Sequence, residues 1–192
     1  MDRSRFGRIG LANLCGLLKT RTIILNVAVS LDGFIEGPRG EIDWCFVDQD
    51  YGMKAFMKRI DAVFMGRKSY ELVMKMEGKN PYPNMTTYVF SKTLEDKKGM
   101  VVVRGDLKKE VEKIRSMKGN DIWLFGGANL VTSFINLNLV DELQLAIHPI
   151  LLGAGKPLFQ GVDKRIGYTL KDSRTYSTGL VQVFYERNKK KQ

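Results

Sequence analysis

The stretch Asp61-Ala-Val-Phe-Met-Gly-Arg-Lys-Ser-Tyr-Glu71 decides how the rest of the chain is read. Ala62 to Met65 is an unbroken apolar run of strand length, which predicts a buried strand. Gly66 ends it, and Leu72, Val73 and Met76 then recur at the spacing of one helix face. Arg67, Lys68 and the Ser69 hydroxyl fall at the predicted helix start, where the first backbone N–H groups lack intrahelical partners and the helix dipole is positive. That combination suits a phosphate. The same residues also fit an ordinary strand-to-helix corner with a solvated basic pair and a serine cap. Repetition favours the ligand reading. Trp123-Leu-Phe-Gly-Gly-Ala-Asn129 is a second strand, glycine turn and helix start, and Ser91-Lys92-Thr93 closes a third strand, Thr86 to Phe90.

A chain of 192 residues can bury the core of one domain without disulfides or metals. Its 44% hydrophobic and 27% charged residues are those of a globular chain and exclude a disordered class. The net charge of +10 favours anionic ligands, although part of it is terminal, at Arg3, Arg5, Arg8 and Lys189 to Lys191. Arg/Gly/aromatic signatures and zinc-finger spacings are missing, which disfavours nucleic acid. Cys15 and Cys45 form no Cys-x-x-Cys motif, which points to a reduced, cytoplasmic setting. The single His148 cannot build a histidine-rich metal site. Ile9 to Leu18 behind three arginines imitates a signal peptide, but no small-x-small cleavage pattern follows, and the segment is too short to span a bilayer. Residues 1–20 are read as an N-terminal extension, 21–188 as one domain and 189–192 as a basic tail, with no membrane association expected.

Along the chain, Thr22 to Val29 is a β-branched first strand that runs into the loop Ser30-Leu-Asp-Gly-Phe-Ile-Glu-Gly37. Met53, Phe56, Met57 and Ile60 share a helix face. Val101 to Val103 is a short strand, and Asp106 can cap a helix whose apolar face is Leu107, Val111 and Ile114. Leu130, Val131, Phe134 and Ile135 are the buried side of another. Leu143, Leu145 and Ile147 then alternate with Gln144, Ala146 and His148, and Val181, Val183 and Tyr185 alternate in a closing antiparallel hairpin. Strands alternate with helices first and stand alone later. This predicts an α/β fold with a mostly parallel central sheet, helices on both faces and antiparallel strands at the C-terminal edge.

Ligands of open α/β sheets sit beyond the carboxyl ends of the strands. Gly126 and Gly127 would let backbone approach a pyrophosphate, and the cations of the other corners suit a further phosphate, such as the one on the ribose of NADP. No Gly-x-Gly-x-x-Gly is present. Met65-Gly-Arg-Lys-Ser-Tyr-Glu71, Phe90-Ser-Lys92 and Phe125-Gly-Gly127 resemble the NADPH-binding frame of dihydrofolate reductases. Ser30-Leu-Asp-Gly33 with Trp44 downstream, and Asp141-Glu-Leu143 leading into Pro149-Ile-Leu-Leu-Gly-Ala-Gly155, resemble the reductase domain of the bifunctional riboflavin-biosynthesis deaminase/reductase. The resemblance spans about Thr22 to Glu186 and implies a dihydrofolate-reductase-like fold, NADPH as cofactor and a homodimer. It further implies that Gly66, Arg67, Lys68 and Ser69 hold cofactor phosphates, with Ser91 and Lys92 beside the adenosine end. Gly126, Gly127, Ala128 and Asn129 would cradle the pyrophosphate, and Trp44, Gly153 and Gly155 would line the site. The implied activity is hydride transfer to a small heterocyclic or ribosylaminopyrimidine-type substrate. The chain departs from both patterns. The zinc-binding deaminase half is absent, riboflavin-type reductases do not usually carry Gly-Arg-Lys-Ser, and folate reductases do not open with Ser-Leu-Asp-Gly. A dihydrofolate reductase and a nucleotide-binding protein without turnover therefore stay open.

Hydride transfer needs a carbon made electron-poor, usually by protonating its neighbour. The candidate catalytic carboxylates are Asp32, expected to order the loop over the cofactor, and Asp50, expected to orient the substrate's ring nitrogens. The ordinary alternatives are a turn aspartate in Asp-Gly and a helix cap. Ser30 to Gly33 and Pro149 to Gly155 are expected to face each other across the nicotinamide, and the basic balance to attract a phosphorylated substrate. His148 reads as a half-buried structural residue.

Overall fold

The computed structural model describes residues 20–188. The expected N-terminal extension, apart from Thr20, and the basic tail lie outside the described residues. The elements are β1 (Ile23–Ser30), β2 (Phe34–Glu36), α1 (Met53–Arg59), β3 (Ile60–Gly66), α2 (Arg67–Glu77), β4 (Thr86–Phe90), β5 (Val101–Val103), α3 (Leu107–Ser116), β6 (Asp121–Gly126), α4 (Ala128–Asn136), β7 (Glu142–His148), β8 (Lys156–Pro157), β9 (Tyr168–Thr175) and β10 (Val181–Arg187). One eight-stranded sheet has the order β5-β4-β3-β6-β1-β7-β10-β9. The run from β5 to β7 is parallel, and β10 and β9 continue it antiparallel at one edge, as the change of style after Val140 predicts. β2 and β8 form a separate antiparallel ribbon.

Side chains of successive strand residues point to opposite faces, so a strand covered on both sides must be apolar throughout. β3 meets that condition. Ala62 and Phe64 join a core with Ile23, Leu25 and the inner faces of α3 (Val111, Ile114) and α4 (Val131, Phe134, Ile135). Val63 and Met65 join a second core with Ile24, Trp123 and Phe56 of α1. The helices thus flank both faces of the sheet.

Two details differ from the sequence reading. On α2, Tyr70 and Val73 pack on the second core, whereas Leu72 and Met76 are exposed. The helix turns its 70/73 stripe, rather than the 72/76 stripe, towards the sheet. Ile60 is not the end of the α1 face but the buried first residue of β3, because the chain turns extended there. Asp106 caps α3 as expected, accepting from the Lys109 N–H at 3.0 Å.

Candidate functional site

The three corners come together. Gly66 is in register with Phe90 of β4, and Met65 with Gly126 of β6, so all three strands end at one level of the sheet. The corners of β3 and β6 also touch, because a Cβ on Gly127 would lie 3.1 Å from Ser69 Oγ. The Gly126–Gly127 peptide is cis. Neither α2 nor α4 has a side-chain N-cap or an acidic residue in its first turn. Two helix starts thus leave donors and positive dipole ends open at one edge. Arg67 is exposed and makes only a 3.4 Å contact with Glu71, a surface pair that contributes little stability. Lys68 and Lys92 are exposed, without an acidic partner among the described residues. Ser91 folds its corner on itself, its Oγ accepting from the Thr93 and Leu94 N–H groups. Ala128 is buried, and Asn129 is exposed with its Oδ1 accepting from Gln160.

The loops after β1 and β7, expected to face each other across the nicotinamide, are joined by hydrogen bonds. Leu31 N–H donates to the Ile150 carbonyl at 2.9 Å. The Asp32 carboxylate accepts from Ser30 Oγ at 2.6 Å, Gly153 N–H at 2.8 Å and Leu152 N–H at 3.2 Å. These donors, Ser30 first, hold its pKa below the ordinary 3.8. Asp32 therefore stays ionised and orders the loop. That is the loop-ordering part of its expected role, with all three donors coming from the end of β1 and the loop after β7. Gly155 immediately precedes β8, at φ 147, with the Glu36 carbonyl where a side chain would go. Trp44 donates its indole N–H to the Glu41 carbonyl and packs edge-on against His148, ring centroids 5.2 Å apart.

On one face of the same sheet lies a cleft of about 630 Å³, lined by none of the corner residues. Its floor is one face of β1, β7 and β10, and its roof is α1 with the strap 45–52. The sequence explains the hollow. Ala28, Ala146 and Gln182 are register partners across the three strands, so two methyl groups stand side by side where the neighbouring row carries Asn26, Gln144 and Phe184. The strap is tied at both ends. His148 Nε2 accepts from the Phe46 N–H at 3.1 Å while Nδ1 meets the Ala146 carbonyl at 3.0 Å, which fixes a neutral Nδ1–H imidazole. Burial keeps that ring's pKa below 6.5. At the other end Gln182 donates to the Tyr51 carbonyl at 2.9 Å, and Tyr51 OH donates to Asp48 at 2.7 Å. Burial, with Asp43 second, pushes the Cys45 thiol up to about 11, so it is no thiolate nucleophile.

Of the predicted site residues, only Asp50 lines this cleft. It is exposed and borders the cavity, and its Oδ1 accepts from the Lys54 N–H in the first turn of α1 at 3.0 Å, although Gly52 and not Asp50 holds the N-cap position. Asn26, Ala28, Gln144, Ala146 and Gln182 were not singled out for a site. The signal was present in the alternation of β7, whose polar and small side faces the cleft rather than bulk water. Among the described residues, the cations that line the cleft are both paired with carboxylates, Arg59 with Asp121 and Glu142, and Arg174 with Asp172. Among the described residues no helix is long and apolar enough to cross a membrane.

Comparison with known proteins agrees with this architecture. The chain is 45% identical over 183 residues to the uncharacterized protein YyaP of Bacillus subtilis (strain 168), covering 89% of this chain and 97% of that one. A Shewanella sp. PV-4 structure assigned by name to riboflavin biosynthesis matches with a TM-score of 0.80 and 28% identity, over 88% of this chain and 99% of its own. Dihydrofolate reductase from Enterococcus faecalis, complexed with NADP(H) and RAB-propyl, matches with a TM-score of 0.65 at 18% identity, over 88% of this chain and 97% of its own, and shares the fold. The RibD C-terminal domain model matches residues 21–182, nearly the whole described sheet, and the chain belongs to that family.

Proposed function

We propose that this protein is an NADPH-dependent reductase that transfers a hydride to a small heterocyclic substrate, closest in type to a ribosylaminopyrimidine, and works as a homodimer. The observation that carries the reading is the convergence at one sheet level of two uncapped helix starts and unpaired Lys68 and Lys92, with a cleft large enough for a ring substrate on one face of the same sheet. The residues fit the cofactor. Ser69 and Gly127 meet without a bulky side chain between them, and Arg67, Lys68 and Lys92 can turn to phosphates without abandoning a buried partner. NADP(H) in the Enterococcus faecalis relative and the RibD name of the family support the same choice.

When bound, NADPH supplies the hydride. The chain's own part is to bind and orient. The first turns of α2 and α4 offer N–H donors to phosphate oxygens. Asp32 keeps the loop beyond β1 closed against the loop after β7. Asp50, at the mouth of the cleft, orients polar ring atoms, with water delivering the proton. A dihydrofolate reductase would need this carboxylate buried against a pteridine, and Asp50 is exposed. The test is NADPH oxidation with a pool of pyrimidine, pterin and quinone-like substrates, followed by identification of the product. Turnover of a ring substrate with NADPH is expected. Cofactor binding without reduction of any of them would sink the proposal and leave a nucleotide-binding protein.

A further inference from the structure

We infer that the cleft floor selects an uncharged ring bearing a lactam edge, an N–H beside a C=O, through the side chains of Asn26 and Gln144. The inference rests on the reductase reading only for what happens after binding.

Asn26 and Gln144 are register partners on β1 and β7, and both line the cleft. Asn26 Nδ2 donates to Gln144 Oε1 at 3.3 Å. A carboxamide has one acceptor oxygen and two donor hydrogens, so this bond leaves Asn26 Oδ1 and the Gln144 NH₂ without a protein partner among the described residues. If both amides are turned end for end, Asn26 Nδ2 and Gln144 Oε1 are left instead. In either orientation the pair leaves one acceptor and one donor open on two residues that line the cleft. Gln182, the third amide of the floor, makes the contrast. Its Nε2 donates to the Tyr51 carbonyl and its Oε1 accepts from Tyr176 OH, so its bonding is internal.

A ligand that covers the open pair dry must supply the matching donor and acceptor or leave polar groups unsatisfied. An open-chain peptide is trans and points its N–H and C=O in opposite directions, whereas a ring amide is cis and turns both to one edge. The surroundings restrict the rest of the molecule. Ala28 and Ala146 leave room for a flat ring next to the pair, and Phe56 and Phe184 add apolar lining. Arg59 and Arg174 already have carboxylate partners, and Arg174 also lies 4.8 Å over the Phe184 ring. An anionic tail would have to displace Asp172 from Arg174, an exposed pair like that of Arg67, whereas the floor residues Asn26, Ala28, Gln144, Ala146 and Gln182 carry no charge to meet a charged ring.

The experiment titrates the full chain, without NADPH, with quinazolin-4(3H)-one and with its 3-methyl derivative, in which the ring N–H is blocked. Affinity and the side-chain amide resonances are read by NMR. The parent lactam should bind about tenfold or more tighter than the methylated ring, one matched hydrogen bond's worth, and should shift the NH₂ signals of Asn26 and Gln144. Gln144→Met and Asn26→Leu should each bring the two probes to within about twofold of one another. Should either variant fail to fold, the two probes on the parent protein and the amide shifts decide the matter. Equal affinity for both probes, absence of saturable binding by the lactam, or a preference surviving in both folded variants would overturn the inference. Lactam binding of this kind with no reduction of any heterocycle would defeat the reductase proposal and leave this one standing.

Discussion

The ribbon of β2 and β8 lets the loop geometry be tested by two glycines of unequal burden. Gly155 has φ 147, a region that residues with a side chain avoid, and a Cβ there would overlap the Glu36 carbonyl oxygen and come within 3.2 Å of Gly37 Cα. Gly153 has φ 71 with nothing within 4 Å of its Cβ. For Gly153→Ala the cost is left-handed strain alone, ~1 kcal/mol. For Gly155→Ala, backbone strain and steric overlap each contribute ~1–3 kcal/mol, so a total of about 3 kcal/mol is expected. That corresponds to a fall of roughly 6–12 °C in Tm for a chain of this size. The ribbon can also open without global unfolding, which limits the loss seen in a melt. Urea unfolding should therefore be paired with hydrogen exchange at the Leu158 amide, which donates to the Gly33 carbonyl at 2.9 Å across the ribbon. Gly155→Ala should speed that exchange far more than Gly153→Ala. If the two variants match in both measurements, the steric account of Gly155 is wrong. If Gly155→Ala weakens only NADPH binding, the glycine serves the cofactor.

The remaining expectations are shorter. Arg67→Ala should weaken NADPH by ~1.5–3 kcal/mol in titration calorimetry and leave NADH nearly unchanged, and equal losses would make Arg67 structural. Asp50→Asn should lower kcat/KM more than about tenfold, ~1.4 kcal/mol, at constant NADPH affinity, whereas full activity would reduce Asp50 to an acceptor for the Lys54 N–H at the start of α1. Because burial holds His148 below 6.5, the unfolded chain protonates first as pH falls. Its contribution is complete above 6.5 and declines as pH drops towards the folded value. Unfolding between about pH 7.5 and pH 5.5 should show a smaller stability loss in His148→Gln than in the parent, and equal losses would remove His148 from the account. The Asp32 carboxylate does not confuse that window, since its own shift acts below 3.8. Light scattering should return a dimer mass, and a monomer mass at all working concentrations would overturn the homodimer.

How much could be read in advance depended on whether a pattern reports one partner or several. The apolar run of β3 reports two covered faces, and the corners announce themselves because glycine, cations and a helix period change within a few residues. The registry of Gly66, Phe90 and Gly126 then follows from parallel pairing. Asp32 was legible as a residue but not as a tie, because its two loop partners, Leu152 and Gly153, lie far along the chain. The cleft floor was the hardest part. Alternation in β7 says that Gln144, Ala146 and His148 share a side, but a solvent face and a cavity floor have the same period. Only pairing with Asn26 and Ala28 on β1 and with Gln182 on β10 distinguishes them.

Strand β1 belongs to both halves of this arrangement. It pairs with β6 only from Ile23–Ile122 to Leu25–Leu124, yet follows β7 to Ser30–His148. Past Leu25 its pairing is with the cleft strands alone, and the Asn26 carbonyl is held by the Trp123 indole N–H at 3.1 Å instead of by a β6 amide. The end of pairing between β1 and β6 therefore lies between the phosphate-suited corners and the amide-lined floor. A cofactor anchored at the corners and a ring held in the cleft would meet at that junction. Under the proposed function the two recognition tasks would fall on different residues, corners at 66–69, 91–92 and 126–129, and floor positions 26, 28, 144 and 146. Relatives below 25% identity share the sheet and so bear on its shape alone. On the proposed reading, what distinguishes this chain's substrate would be sought in the floor, where a change of two amides would alter the ring accepted and leave the corners untouched.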